Sequence, residues 1–199
     1  MENHQSLMRG LLILTLAMGG LGLGIWMPVA HGQDDNPFAL LNQPGHVAFI
    51  RHTLAPGSDD PPGFQLEACD TQRNLNDTGR EQARTLGQQI KDAGVTVDAL
   101  YSSQWCRCLD TARLMEVGDV QPLPDLNSVY GRHRVHERER TANMRRFLAE
   151  LDPETTAVMV THYANIYALT RVAVSSGGGV VLRTSPDGQF EVVAEIPAP

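Results

Sequence analysis

Three short apolar runs alternate with stretches of helical periodicity, and each run delivers a basic or imidazole side chain where it stops. His46-Val-Ala-Phe-Ile-Arg-His52 ends in Arg51 and His52, side by side. Ala99-Leu-Tyr-Ser-Ser103 leads into a helix that opens with Arg107, and Ala157-Val-Met-Val-Thr161 leads into His162. Strands alternating with helices predict a three-layer α/β sandwich, a mostly parallel sheet with helices on both faces. Open α/β sheets bind ligands at the carboxyl ends of their strands, so Arg51, His52, Arg107 and His162 are placed to converge there. Two arginines with two histidines suit a tetrahedral dianion.

The helices follow from period and punctuation. Thr78 with Glu81 forms a capping-box pattern, and Ala83, Leu86, Ile90 and Ala93 then recur at helical spacing until Gly94. A second helix is expected from Trp105 to about Met115. A third is expected from Thr141 toward Leu151, with Met144, Phe147, Leu148 and Leu151 on one face and Pro153 beyond it. A fourth follows His162. Two strands, Val180 to Thr184 and Gln189 to Ile196, close the chain around the turn Pro186-Asp187-Gly188. The stretch from Leu54 to Arg73, rich in Pro, Gly and Asp, is expected to lie over the mouth of the site and contact substrate. Arg73 is either a further cation of the pocket or half of a structural ion pair.

Residues 1–32 carry one positive charge at Arg9, an apolar run from about Leu11 to Val29, and small residues at Ala30 and Gly32. That pattern predicts a secretory signal peptide, and with it a periplasmic or secreted protein. The run is also about as long as a membrane span, so contact with a membrane is expected only if the segment stays uncleaved. Residues 33–199 suit a single domain, without internal repeat or low-complexity tract. A net charge of −7 argues against nucleic acid as a partner. The arginines at 132, 134, 138, 140, 145 and 146 interleave with Glu137, Glu139 and Glu150, which predicts a solvated face. His133 and His136, three apart, are expected to be exposed. No carboxylate or cysteine set accompanies His52 and His162 at metal-ligand spacing, so neither metal nor cofactor is expected.

In order along the chain these segments resemble the histidine phosphatase superfamily, in the branch of the phosphoglycerate mutases and small periplasmic phosphatases. The Arg-His-Gly signature of that family is similar to Arg51-His52-Thr53, with threonine in place of glycine. Its second-arginine segment resembles Ser102-Ser-Gln-Trp-Cys-Arg107-Cys-Leu-Asp-Thr111-Ala112. The helix opening resembles Leu75-Asn-Asp-Thr-Gly-Arg-Glu-Gln-Ala83, and the second histidine resembles Thr161-His162-Tyr-Ala-Asn165. The resemblance spans about residues 45–172. It implies a phosphoglycerate mutase-like fold and hydrolysis of a small phosphorylated substrate or a phosphorylated envelope component through a phosphohistidine.

The chemistry of the residues agrees. Arginine offers a planar fork of donors that pairs bidentately with phosphate oxygens, and a neutral imidazole can attack phosphorus in line. We therefore assign His52 as the nucleophile. His162 is a phosphate ligand by the resemblance, with Arg51 and Arg107; from the residues alone it could instead be the nucleophile or a structural histidine capping the helix that follows. The glutamate that mutase-like members use as general acid has no counterpart, since Leu126-Asn127-Ser128 stands in its segment. Asp125 and Glu137 are the nearby substitutes, and hydrolysis without a side-chain acid is the alternative. The missing acid also motivates a second reading, a non-catalytic phosphate- or polyanion-binding protein that has kept the pocket. Of the three cysteines, Cys106 and Cys108 sit two apart on a helix and point to opposite sides. A Cys69–Cys106 disulfide is expected beside Arg107, with Cys108 free and buried.

Overall fold

A computed structural model describes residues 36–199 apart from Pro186. The expected signal segment, residues 1–32, lies outside the described residues. The elements run in the order β1 (His46–Arg51), α1 (Asp77–Asp92), β2 (Ala99–Ser102), α2 (Cys106–Met115), β3 (Val120–Pro122), α3 (Glu137–Glu150), β4 (Ala157–Thr161), α4 (Tyr163–Thr170), β5 (Gly179–Thr184) and β6 (Phe190–Ile196). They build one six-stranded sheet in the order β3-β2-β4-β1-β5-β6. The four strands from β3 to β1 are parallel, β5 runs antiparallel to β1, and β6 runs antiparallel to β5.

Side-chain alternation along β1 divides the core into two layers. Ala48 and Ile50 pack with Leu86 and Ile90 of α1 and Ala112 and Met115 of α2. Val47 and Phe49 pack with Met144 and Leu148 of α3 and Ile166 and Leu169 of α4. Helices therefore cover both faces, and β4 at the centre is buried along its whole length, as a parallel strand covered on both sides must be. Burying side chains such as Phe49 or Ile166 stabilises the fold by about 1.5–3 kcal/mol each.

Element edges differ from the sequence reading in ways that have local causes. The N-cap of α1 is Asn76, not Thr78, because its side chain accepts from Gly79 N at 2.8 Å. Asn is at least as good a cap as Thr, and Asp77 then sits in the first turn, where the helix dipole favours it. α3 starts at Glu137, earlier than Thr141, with Glu137 and Glu139 in its first turn. The three-residue β3 adds an edge that the apolar pattern does not announce.

Two glycines set how closely the helices dock. A Cβ on Gly87 would lie 1.9 Å from Met115 O, and one on Gly79 would lie 2.1 Å from Leu54 O. The first contact joins α1 to the end of α2. The second holds the start of α1 against the chain that leaves β1, which fixes the backbone just beyond His52.

Candidate active site

The parallel order β2-β4-β1 brings three strand ends together. Arg51 pairs in register with Thr161, and Ser102 with Val160. Beyond those rungs, His52 N donates to Thr161 O and Ser103 N to Val160 O, each at 2.9 Å. His52 thus leaves β1, His162 is the N-cap of α4, and Arg107 stands in the first turn of α2. All four side chains expected to form the site, Arg51, His52, Arg107 and His162, line one cavity of about 410 Å³. Its other walls are Gly57 to Asp60 from the long loop, together with Ser128, Tyr130, His133 and Tyr163.

The His52 ring is buried, and its Nδ1 lies 2.8 Å from Thr53 O. A carbonyl can only accept, so Nδ1 carries the proton and the lone pair of the neutral ring is on Nε2. Burial, and then the nearby Arg107 charge, hold His52 well below its ordinary value of 6.5. His162 is depressed by the same two causes. Both imidazoles are neutral at pH 7. Their rings meet edge to face with centroids 5.5 Å apart. His162 Nε2 is 2.9 Å from Ser103 Oγ, which is itself 3.2 Å from Asn127 Oδ1. Ser103 Oγ donates to Asn127 Oδ1, so His162 Nε2–H donates to Ser103 Oγ; with the Ser103 proton turned to His162 instead, the other ring nitrogen is left as a donor for a phosphoryl oxygen.

Thr53 occupies the position of the family glycine without opening the backbone to solvent. Its amide donates to Thr111 Oγ1 at 3.1 Å and its hydroxyl bonds the same atom, while Thr111 in turn donates to Arg107 O. The substitution therefore ties the chain after His52 to α2.

Arg107 is almost fully buried and meets Asp60 with both outer nitrogens, Nη1 to Oδ1 at 2.7 Å and Nη2 to Oδ2 at 3.3 Å. Asp60 also accepts from Arg73 N and from the Trp105 indole, each at 3.0 Å. Burial opposes ionisation of Asp60, but these donors, Arg107 first, win and lower its pKa. It is a carboxylate seated in the fork that would hold phosphate. The Nε atoms of Arg51 and Arg107 are buried without an acceptor, so donors outnumber acceptors even with Asp60 in place. Arg51 otherwise donates to Val174 O and stands 5.7 Å from the centre of the Tyr163 ring. Arg73 turns its guanidinium to Ala55 O and does not line the cavity.

Neither expected acid reaches the cavity. Asp125, on a short helical turn, accepts from Asn143 of α3, and Glu137, the first residue of α3, pairs with Arg134. Ser128 stands where the mutase-like segment would place glutamate, and it does line the cavity. His133 also differs from the sequence reading. It is half-buried, in edge contact with Trp105 and Phe64, and its pKa is lowered by burial and then by Arg132. Asp60 and His133 are site residues that periodicity could not reveal, since each reaches the cavity through an irregular segment. Cys69 and Cys106 form a disulfide with Cα atoms 5.7 Å apart, fastening the loop to α2 one residue before Arg107. Cys108 is a buried free thiol whose pKa burial pushes up to about 12. Among the described residues, no group of three or more His, Cys, Asp or Glu side chains could hold a metal ion.

The family model of the histidine phosphatase superfamily, branch 1, matches residues 47–131, which contain Arg51, His52 and Arg107. Over that stretch the chain resembles the histidine phosphatase superfamily. Solved structures of that superfamily share its fold at low sequence identity. The protein histidine phosphatase SixA in complex with tungstate aligns with a TM-score of 0.59 at 13% identity, covering 76% of this chain and 96% of that one. A phosphoserine phosphatase variant from Entamoeba histolytica, bound to phosphoserine, gives 0.57 at 15% over 76% and 96%. The mycobacterial glucosyl-3-phosphoglycerate phosphatase gives 0.56 at 16% over 77% and 99%. No curated protein sequence matches the chain.

Proposed function

We propose that this protein is a phosphatase that hydrolyses phosphomonoesters, or similar phosphoryl compounds, through a phosphohistidine on His52. The observation that carries the reading is the fixed tautomer of His52. Its Nδ1 proton is held by Thr53 O, leaving Nε2 as a nucleophile in a cavity that also presents Arg51, Arg107 and His162. Nε2 attacks phosphorus, the leaving oxygen departs opposite, and the arginines and His162 hold the equatorial oxygens. Water then attacks the phosphohistidine and releases inorganic phosphate.

Two carboxylates line the cavity, and neither expected acid, Asp125 or Glu137, is one of them. Asp60 is held as a carboxylate by Arg107, and Asp59 is exposed beside it and accepts from Asp60 N. Leaving groups that depart as weak bases are therefore favoured. An apolar run with a small-residue end in residues 1–32 supports work outside the cytoplasm, and the Cys69–Cys106 disulfide supports the same compartment.

Purified protein offered a panel of phosphorylated compounds, with and without a strong chelator, tests the activity. Chelator-resistant release of phosphate is the expected result. Binding of phosphate or tungstate with no release from any compound would favour the non-catalytic reading, for which Asp60 in the Arg107 fork is the supporting observation.

A further inference from the structure

We propose that the cavity around His52 continues along α4 into a leaving-group subsite for an aromatic ring followed by a second negative charge, making the preferred substrates aryl phosphates that are anionic beyond the ring. The proposal rests on the phosphatase reading and adds a substrate class to it.

Four large hydrophobic residues are exposed among the described residues, Tyr130, Val135, Tyr163 and Tyr167. Isolated exposed apolar residues need no explanation. These four share one line of adjoining cavities. The His52 cavity and the next one, also about 410 Å³, have Tyr130, Tyr163 and Ala164 in common, and Tyr167 lies in the second. A third cavity shares Arg134, Glu137, Ala168 and Arg171 with the second and reaches Val135.

The tyrosines are arranged as well as exposed. Tyr163 and Tyr167, one helical turn apart on α4, stack with ring centroids 5.9 Å apart and planes 12° from parallel. Arg51 caps the inner ring at 5.7 Å and Arg171 the outer ring at 5.8 Å. The result is a ladder of cation, ring, ring and cation whose inner end is a phosphate-binding arginine. At the outer end Arg171 and Arg134 face one carboxylate, Glu137, 3.5 Å from Arg134. That end is locally cationic in a chain of net charge −7.

The order along the groove selects the substrate. Moving out from His52, aromatic surface comes first and positive charge second. A nucleoside polyphosphate presents the reverse, further phosphates first and its ring last. An aryl phosphate with an acidic group beyond its ring matches the order. Its aryl oxide also departs with little need of a proton from an acid.

The test measures kcat/KM of the full chain on phenyl phosphate, on two phosphotyrosine peptides that differ only in having two Glu or two Lys after the phosphotyrosine, and on adenosine 5′-triphosphate. The acidic peptide should exceed the basic one by about tenfold at low salt, and the ratio should shrink as ionic strength rises. Arg134→Gln with Arg171→Gln should bring the ratio near one, and Tyr163→Leu should raise KM for phenyl phosphate. Arg134→Gln alone should move the ratio in the same direction if the double variant fails to fold. Phenyl phosphate turned over with both peptides equal, or adenosine 5′-triphosphate preferred, would overturn the subsite and leave the phosphatase reading standing. No turnover of any of the four, with no phosphate trapped on the enzyme, would overturn the phosphatase reading itself.

Discussion

His52 is held neutral by its surroundings, and that has consequences for pH. Its pKa and that of His162 lie well below 6.5, so the nucleophile stays unprotonated in mildly acidic solution. The acid limb of kcat/KM should fall well below pH 6, measured on a substrate whose own ionisation is complete. The same depression bears on stability. Below about pH 6.5 the unfolded chain binds protons that the folded protein does not, so stability falls as pH falls through that range. Two such sites give a slope of at most about 2.7 kcal/mol per pH unit. Urea titrations at pH 7, 6 and 5 should show the loss; a flat profile would mean that the imidazoles are solvated.

Arg107 has both a charge role and a shape role. Arg107→Lys keeps the charge but loses the fork that pairs with two oxygens, and it should lower kcat/KM on the order of 10²-fold. Asp60 is its partner in the resting protein, and the pair is buried with side-chain exposures of 5% and 6%. Asp60→Ala leaves that arginine unpaired and should destabilise the fold by about 3–5 kcal/mol. Inorganic phosphate should restore part of the lost thermal stability, more than it adds to the unmodified protein. An equal effect of phosphate on both would show that it does not reach the Arg107 fork.

At the scale of elements, the long loop is built into the site. The disulfide anchors it to α2, Phe64 stacks on Trp105 with centroids 5.1 Å apart, and Asp60 reaches Arg107. The two cysteines are 37 residues apart, so Cys69→Ser with Cys106→Ser should cost about 3–4 kcal/mol by loop-closure entropy, read by denaturant midpoint, with turnover falling as the loop loosens. The strand ends that carry Arg51, His52 and His162 were legible because each closes an apolar run, and Arg107 because it opens the helix after one. Asp60 and His133 were not, since a loop and a 3₁₀ turn have no period that says where a side chain points. Asp125 and Glu137 are the opposite case: closeness in sequence to the missing glutamate suggested a role, but Asp125 turns to Asn143 and Glu137 to Arg134, outside the His52 cavity. The N-cap at Asn76 follows the same lesson, because the capping-box pattern at Thr78 competed with a better cap two residues earlier.

Over the whole molecule, the sheet order puts Arg51, His52, Arg107 and His162 beyond the carboxyl ends of the central strands. Helices on both faces bury the strands that deliver the site, so a core change far from the chemistry should act through stability alone. Gly87→Ala, which would push Met115 away from α1, should lower the unfolding midpoint by the equivalent of about 1–3 kcal/mol while kcat/KM of the folded fraction holds. The central claim is that His52 becomes phosphorylated during turnover. Rapid quenching of the enzyme with a radiolabelled aryl phosphate, followed by peptide mapping under alkaline conditions, measures this directly. The account predicts acid-labile phosphate on the peptide containing His52, absent from His52→Ala; label on His162, or label that persists in His52→Ala, would contradict it.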